Sequence, residues 1–304
     1  KIKSEKLKKI SKLSGSDTII DIGSNDGTFL SNFKKSNKLI GIDPTIKKLK
    51  KHYRKDIITI SDFFSSQTIF KYLKNKKAKI ITSISMFYDL PSPIKFAQDI
   101  YECLDKNGIW HLEQSYMPSM IKNVSYDTIC HEHLEYYSLK QIELIMSKAN
   151  LRVFDVKLNG ANGGSFNIKV CKKNSKINTR KSVLKLRIFE KKYFSKKDVF
   201  SKFKKRILKI KSKLLSKLKE YKNLGKSIYA LGASTKGNIL LQYYNLDNSI
   251  ISAIGEVNKK KFGKYTPGTN IKIVDENVLV KKPDSIYLIM PWHFKSFFLK
   301  SKKL

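Results

Sequence analysis

Cysteine is scarce. The 304-residue chain has three, Cys103, Cys130 and Cys171, and no C-x-x-C pair. This suggests neither a disulfide framework nor a zinc site, and no metal is expected. Arginine is scarce too. Only Arg54, Arg152, Arg180, Arg187 and Arg206 stand among 62 basic residues. Readers of bases and phosphates lean on the arginine fork, so the net charge of +37 is not read as a nucleic-acid face. Lysine, isoleucine and asparagine are abundant together, the residue types of AT-rich codons, and a solvated lysine coat accounts for the charge. No apolar run approaches the ~18 residues of a membrane span, and no signal peptide is expected. A cytoplasmic protein with no membrane partner is expected. No internal repeat or low-complexity tract suggests a scaffold. The chain begins at Lys1 rather than Met, so a fragment of a longer protein is expected.

What is present is enough for roughly two domains, with 41% hydrophobic residues to fill their cores. The organising stretch is Asp21-Ile-Gly23-Ser24-Asn25-Asp-Gly27. The β-branched Thr18-Ile-Ile precedes it, and Phe29, Leu30 and Phe33 follow at helical spacing. The pattern predicts strand, glycine turn and helix. Gly23 and Gly27 allow the backbone to pass close under a ligand, and the amides of the following helix open toward the same space. The spacing is G-x-x-x-G, not the G-x-G-x-x-G of dinucleotide sites. Sixteen residues after Gly27, a second strand, Leu39–Ile42, ends in Asp43-Pro44. An acid there is placed to grip a ribose by its hydroxyls.

Further strands are predicted at Ile57–Ile60, Lys79–Ser85 and Ile109–Glu113. A helix is expected from Pro93 to a C-cap at Asn107-Gly108. Between His131 and Tyr137 lie two histidines, two glutamates and two tyrosines, in a chain with five histidines. H-E-H lacks the spacing of a zinc-peptidase helix. Ser138 caps a helix to Ala149, and two strands, Leu151–Leu158 and Ser165–Lys172, flank a tight Asn159–Gly164 link. Lysine-rich residues 173–224 read as helices bridging two domains. A second strand–turn–helix unit follows, with its strand at Ser227–Leu231 and its turn at Gly232–Asn238. There Ser234, Thr235, Lys236 and Asn238 converge near a helix N-terminus, a chemistry suited to phosphate. More strands are expected at 250–254, 271–274 and 285–290.

The turn at Asp21–Gly27, the ribose acid Asp43 and the segment Thr59–Phe64, an acid followed by aromatics, together resemble the class I S-adenosylmethionine methyltransferases. Over nearly the whole chain the resemblance is to the nucleotide-sugar C-methyltransferases. It is carried by Ile22–Gly27, His131-Glu132-His133, Asn162-Gly-Gly-Ser165, Gly232-Ala-Ser234 with Lys236-Gly-Asn238, and Pro291-Trp292. It implies an α/β fold: a Rossmann-like methyltransferase core over residues 1–174, a helical linker over 175–224, and a smaller Rossmann-like domain over 225–304 that binds acceptor. It also implies that an N-terminal zinc module is missing, and a closing helix and strand would be expected where the chain stops at Leu304.

The same resemblance implies S-adenosyl-L-methionine as cofactor, held by Asp21, Gly23, Ser24, Asn25, Gly27, Asp43, Pro44, Asp62, Phe63, Ser85 and Met86. The expected acceptor is a nucleotide-linked keto-deoxysugar, contacted by Tyr88, Tyr137, Ser165 and the Ser234–Asn238 turn. The expected catalytic set is His133 as base, Glu132 orienting it or holding a hydroxyl, His131 or Tyr88 facing the enolate, and Asp89 taking part where the relatives use histidine. Departures from the family pattern fall on the acceptor side: Cys130 replaces tyrosine, and Ser85 and Asp89 stand where the relatives carry asparagine and histidine. The rival readings are a nucleic-acid methyltransferase and a non-catalytic sugar-nucleotide binder. Ser85-Met-Phe-Tyr88 lacks the prolines of amino-methylating DNA enzymes.

Overall fold

The computed structural model describes residues 2–73, 76–280 and 282–294. The end of the expected C-terminal domain, 295–304, lies outside them, as does Lys1. The described residues form two compact units, one within 2–119 and 134–196, the other within 120–133 and 197–294.

In the first unit, helix α1 (Ile2–Ser11) leads into β1 (Thr18–Ile22). Then come β2 (Lys38–Ile42), α2 (Ile46–Leu49), β3 (Ile57–Ile60), α3 (Ser66–Leu73), β4 (Ala78–Ile84), α4 (Pro93–Cys103) and β5 (Leu104–Ser115). After α5 (Met117–Asn123), the unit resumes with α6 (Leu139–Lys148), β6 (Leu151–Asn159), β7 (Ser165–Lys172) and α7 (Lys181–Phe194). The seven strands form one sheet in the order β3-β2-β1-β4-β5-β7-β6, with only β7 running against the rest. Strand order reverses between β1 and β4, so the crevice at their carboxyl ends is where such a sheet takes a ligand.

The strands are near-continuous apolar runs because helices cover both faces. Ile20, Ile22, Ile81, Trp110 and Leu112 are buried in one core with Ile69 of α3, Ile100 of α4 and Ile142 of α6. On the other face, Ile19, Leu39 and Ile80 are buried with Leu7 of α1. Trp110 donates its indole hydrogen to Ser83 Oγ at 2.9 Å, so its one polar atom is satisfied in the core.

Two expectations fail here. The helix expected after the glycine turn is only a 3-10 turn, Leu30–Asn32. Ser31 and Asn32 turn their side chains back onto the carbonyls of Gly27, Thr28 and Phe29, which competes with helix propagation. Helix α4 ends at Cys103, and Asn107-Gly108 lies inside β5 rather than capping the helix. A Cβ on Gly108 would sit 2.8 Å from the Ala78 carbonyl. The glycine is there for close strand contact, which its neighbours in sequence do not reveal.

In the second unit, α8 (Val199–Asn223) precedes β8 (Ser227–Leu231), α9 (Thr235–Tyr244), β9 (Ala253–Glu256), β10 (Ile273–Asp275), α10 (Glu276–Leu279) and β11 (Ser285–Ile289). Four parallel strands lie in the order β10-β9-β8-β11. Strands β9 and β10 begin two or three residues later than their isoleucine runs predict. Leu218 of α8 is buried with Ile228, Leu241 and Ile254. The segment 120–133 joins this unit: Arg206 of α8 donates to the carbonyls of Ile121 and Lys122 at 3.2 and 2.7 Å, and the Tyr126 hydroxyl meets that of Tyr244.

Candidate functional site

The carboxyl end of β1 opens into a loop that only particular residues can form. Gly23, Asn25 and Gly27 all have positive φ, at 68°, 49° and 75°. Glycine adopts this freely, and asparagine tolerates it better than most side chains. The loop leans on the end of β2, where Gly23 donates its amide to the Ile42 carbonyl at 2.9 Å. Asp43 Oδ2 accepts the amide of Asn25 at 3.0 Å. Asp43 Oδ1 takes the Thr45 amide and hydroxyl at 2.7 and 2.6 Å. A carboxylate oxygen has two lone pairs, so Oδ2 retains acceptor capacity for a ligand hydroxyl.

Asp21 is buried beneath this loop and accepts the hydroxyl of Thr82 on β4. Burial raises its pKa to about 7, opposed by the Thr82 hydrogen bond and reinforced by the negative charge of Asp43. A cation above the loop would favour the carboxylate. At the end of β3, Asp62 folds onto the Phe63 amide at 2.7 Å, and the Phe63 ring is 78% exposed. Phe64 turns inward onto Phe96, ring centroids 5.0 Å apart. Pro44 follows Asp43 on the exposed rim.

At the end of β4, Ser85 has φ 56° and donates its amide to the Glu113 carbonyl at 2.7 Å. Serine held there is strained by roughly 1–3 kcal/mol. Met86 lies 3.4 Å from where a Cβ on Gly23 would stand, so the β1 and β4 loops meet. Tyr88 is buried, donating to the Ser85 carbonyl at 3.1 Å, whereas Asp89 is exposed. The Tyr88 carbonyl accepts the amides of Leu134 and Glu135 at 3.0 and 3.1 Å. Tyr137 is buried against Phe87, and its hydroxyl has no hydrogen-bond partner among the described residues. Ser165 is buried on β7 and donates to the Ala161 carbonyl at 2.9 Å.

The structure thus gathers the expected donor-side residues around the carboxyl ends of β1, β2, β3 and β4. An open cradle with two glycines, a carboxylate with acceptor capacity and an exposed aromatic ring fit an adenosyl group with its ribose.

His131, Glu132 and His133 lie in the second unit. His131 and Glu132 are exposed, and His133 is partly buried. His133 Nδ1 is 2.7 Å from the Thr128 carbonyl. A carbonyl only accepts, so in the neutral imidazole Nδ1 carries the hydrogen and Nε2 the lone pair. In the same unit, buried Asp127 accepts the indole hydrogen of Trp292 at 2.9 Å.

Ser234 is the N-cap of α9, its hydroxyl accepting the Gly237 amide at 3.1 Å. Thr235, Lys236 and Asn238 therefore lie in the first helical turn rather than in a loop before it. Gly232 has φ 89°, and a Cβ on it would overlap Pro291 at 2.7 Å. Burial lowers the pKa of Lys236, while Asp127 and Cys130 favour its charged form. Asn238 Oδ1 is buried without a hydrogen-bond partner among the described residues.

Two family models tile the sequence. One, described as a methyltransferase domain, matches residues 2–156. The chain belongs to the S-adenosylmethionine-dependent methyltransferases. The other, described as a C-methyltransferase C-terminal domain, matches residues 160–303. The C-methyltransferase NovU of Streptomyces niveus is 23% identical over 294 residues, covering 96% of this chain and 70% of NovU. Among solved structures, YcgJ of Bacillus subtilis is 13% identical at TM-score 0.42, covering 55% of this chain and 96% of its own. The plantazolicin methyltransferase BpumL, solved with SAH, is 13% identical at TM-score 0.43, covering 56% and 81%. S-adenosylmethionine is the cofactor of this methyltransferase. No helix among the described residues is long and apolar enough to cross a membrane.

Two residues of the donor loop escaped the sequence reading. Thr82 holds Asp21 from 61 residues away, and Tyr53 reaches Ser24 across 29. Neither stands in a motif. The local hint for Thr82 is a hydroxyl beside Ser83 in a β4 strand rich in isoleucine.

Proposed function

We propose that this C-methyltransferase acts on a carbon next to a ketone in a nucleotide-linked deoxysugar. The donor-side residues named above hold the cofactor: Asp43 takes the ribose hydroxyls, Phe63 lies on the adenine, and the Gly23–Gly27 loop gives backbone access. Bound S-adenosylmethionine supplies an electrophilic methyl group on a sulfonium. The protein's own task is then to make a carbon nucleophile. A proton next to a ketone leaves only with a positioned base and with stabilisation of the enolate oxygen.

His133 is the base. The observation that most supports this is the Thr128 carbonyl at 2.7 Å from Nδ1, which selects the tautomer with its lone pair on Nε2. Nε2 takes the proton, and the ring becomes an imidazolium whose Nδ1–H stays on the Thr128 carbonyl. His131 contributes a donor toward the developing enolate. The first turn of α9, with Lys236, holds a phosphate of the nucleotide-sugar.

The experiment is turnover against a panel of keto-sugar nucleotides with S-adenosylmethionine, followed by mass spectrometry of the sugar. A gain of one methyl on carbon, with stoichiometric S-adenosylhomocysteine, is expected for at least one member. Methylation of oxygen, or of RNA in place of every sugar, would overturn the proposal.

A further inference from the structure

The donor loop is shaped by a side chain that no motif includes. Tyr53 follows a 3-10 turn (Lys50–His52), and its own amide donates to the Lys50 carbonyl at 3.1 Å. Its hydroxyl lies 2.7 Å from Ser24 Oγ and donates to the Asn25 carbonyl at 2.8 Å. A phenol has one hydrogen, so with that hydrogen on Asn25 it accepts from Ser24. The ring lies directly under the loop, since a Cβ on Gly27 would stand 2.6 Å from it and one on Gly41 3.1 Å. A side chain at Gly27 would displace Tyr53, and one at Gly41 would press on both Tyr53 and Ser24.

We propose that Tyr53 is a positioning residue for S-adenosylmethionine, latching the Ser24–Gly27 loop so that Asn25 presents its amide to Asp43. The proposal rests on the reading that this loop and Asp43 hold the cofactor. Asn25 is gripped at both ends, its carbonyl by Tyr53 and its amide nitrogen by Asp43 Oδ2 at 3.0 Å. The residue stands at φ 49°, a conformation that other contacts must maintain. Losing the phenol hydrogen frees the Asn25 carbonyl to rotate, which also loosens the orientation of the Asp43 carboxylate. The latch is a donor at every working pH, because burial raises the Tyr53 pKa to about 12. It acts through Asn25 and Ser24 and does not itself touch the reacting atoms.

The test is calorimetric titration of the full chain with S-adenosylhomocysteine. The variants are Tyr53→Phe, Ser24→Ala, Asp43→Ala and the Tyr53→Phe/Asp43→Ala pair. Phenylalanine keeps the ring under Gly27, so folding is preserved, and Ser24→Ala removes one latch bond without touching the ring. Tyr53→Phe is expected to weaken binding roughly tenfold, and Ser24→Ala by less. The double variant is expected to lose less than the product of the two single losses, because both act through Asn25. A merely structural tyrosine would give a multiplicative loss. Wild-type chain that fails to bind would overturn the cofactor-site reading along with the latch. Wild-type binding with a damaging Asp43→Ala and a harmless or independent Tyr53→Phe would overturn the latch alone.

Discussion

Replacing Asp21 by asparagine should stabilise the protein while weakening its hold on the cofactor. Asp21 is buried, and its pKa rises from 3.8 to about 7. In the unfolded chain the group loses its proton near 3.8, whereas the folded chain holds that proton to about 7. Between those values the unfolded state is favoured, so the apo protein loses stability as pH rises from about 4 to 7. A gap of about three units corresponds to about 4 kcal/mol. Asparagine has no proton to lose and can still accept the Thr82 hydroxyl. The expected result is equal stability near pH 4, with Asp21→Asn the more stable by up to about 4 kcal/mol at pH 8. A cationic cofactor above the loop offsets the same penalty, so wild-type affinity for S-adenosylmethionine should climb between pH 5 and 8 and that of the variant should stay flat. Denaturant unfolding at several pH values, with and without cofactor, reads both effects. Destabilisation by Asp21→Asn at pH 8 would refute the reasoning, because the carboxylate would then be well solvated or paired.

Gln114 at the end of β5 is fully buried, with neither amide atom hydrogen-bonded among the described residues. Gln114→Leu should therefore stabilise the fold by about 1–3 kcal/mol, read as a raised melting temperature. Lys236→Ala should weaken nucleotide-sugar binding by ten- to a hundredfold, the worth of one charge-assisted hydrogen bond of about 1.5–3 kcal/mol, while sparing S-adenosylhomocysteine. Equal losses for both ligands in calorimetry would take the phosphate away from α9.

The sheet was legible because parallel strands under two helical layers read as apolar runs. β3 falls at Ile57–Ile60, as its isoleucines predict, and Asp43 follows β2 as an acid at a strand's end. The positions of Gly23 and Gly27 were legible as well, since φ values of 68° and 75° are what glycine supplies. What failed was decided by contacts distant in sequence. Gly108 reads as a helix stop, yet it is set by the Ala78 carbonyl of the neighbouring strand. Phe29, Leu30 and Phe33 have helical spacing, but Phe33 and Leu30 are buried in the α1-side core from a short 3-10 turn. Tyr53 sits in a lysine-rich stretch with nothing local to mark it, and only the fold brings its hydroxyl to Ser24 and Asn25. His131 and His133 were conspicuous by composition, whereas the tautomer of His133 depends on the Thr128 carbonyl.

The central claim is that His133 generates a carbon nucleophile, and proton exchange measures that step apart from methyl transfer. The acceptor is incubated in heavy water with enzyme and S-adenosylhomocysteine, and the proton next to its ketone is followed by NMR. Wild-type enzyme should exchange it. His133→Ala should slow exchange and turnover by ~10²–10⁴-fold while binding S-adenosylhomocysteine normally, and His131→Ala should retain more exchange than His133→Ala. A His133→Ala enzyme that exchanges and methylates at the wild-type rate would contradict the claim and move the base elsewhere, with Asp89 next in line.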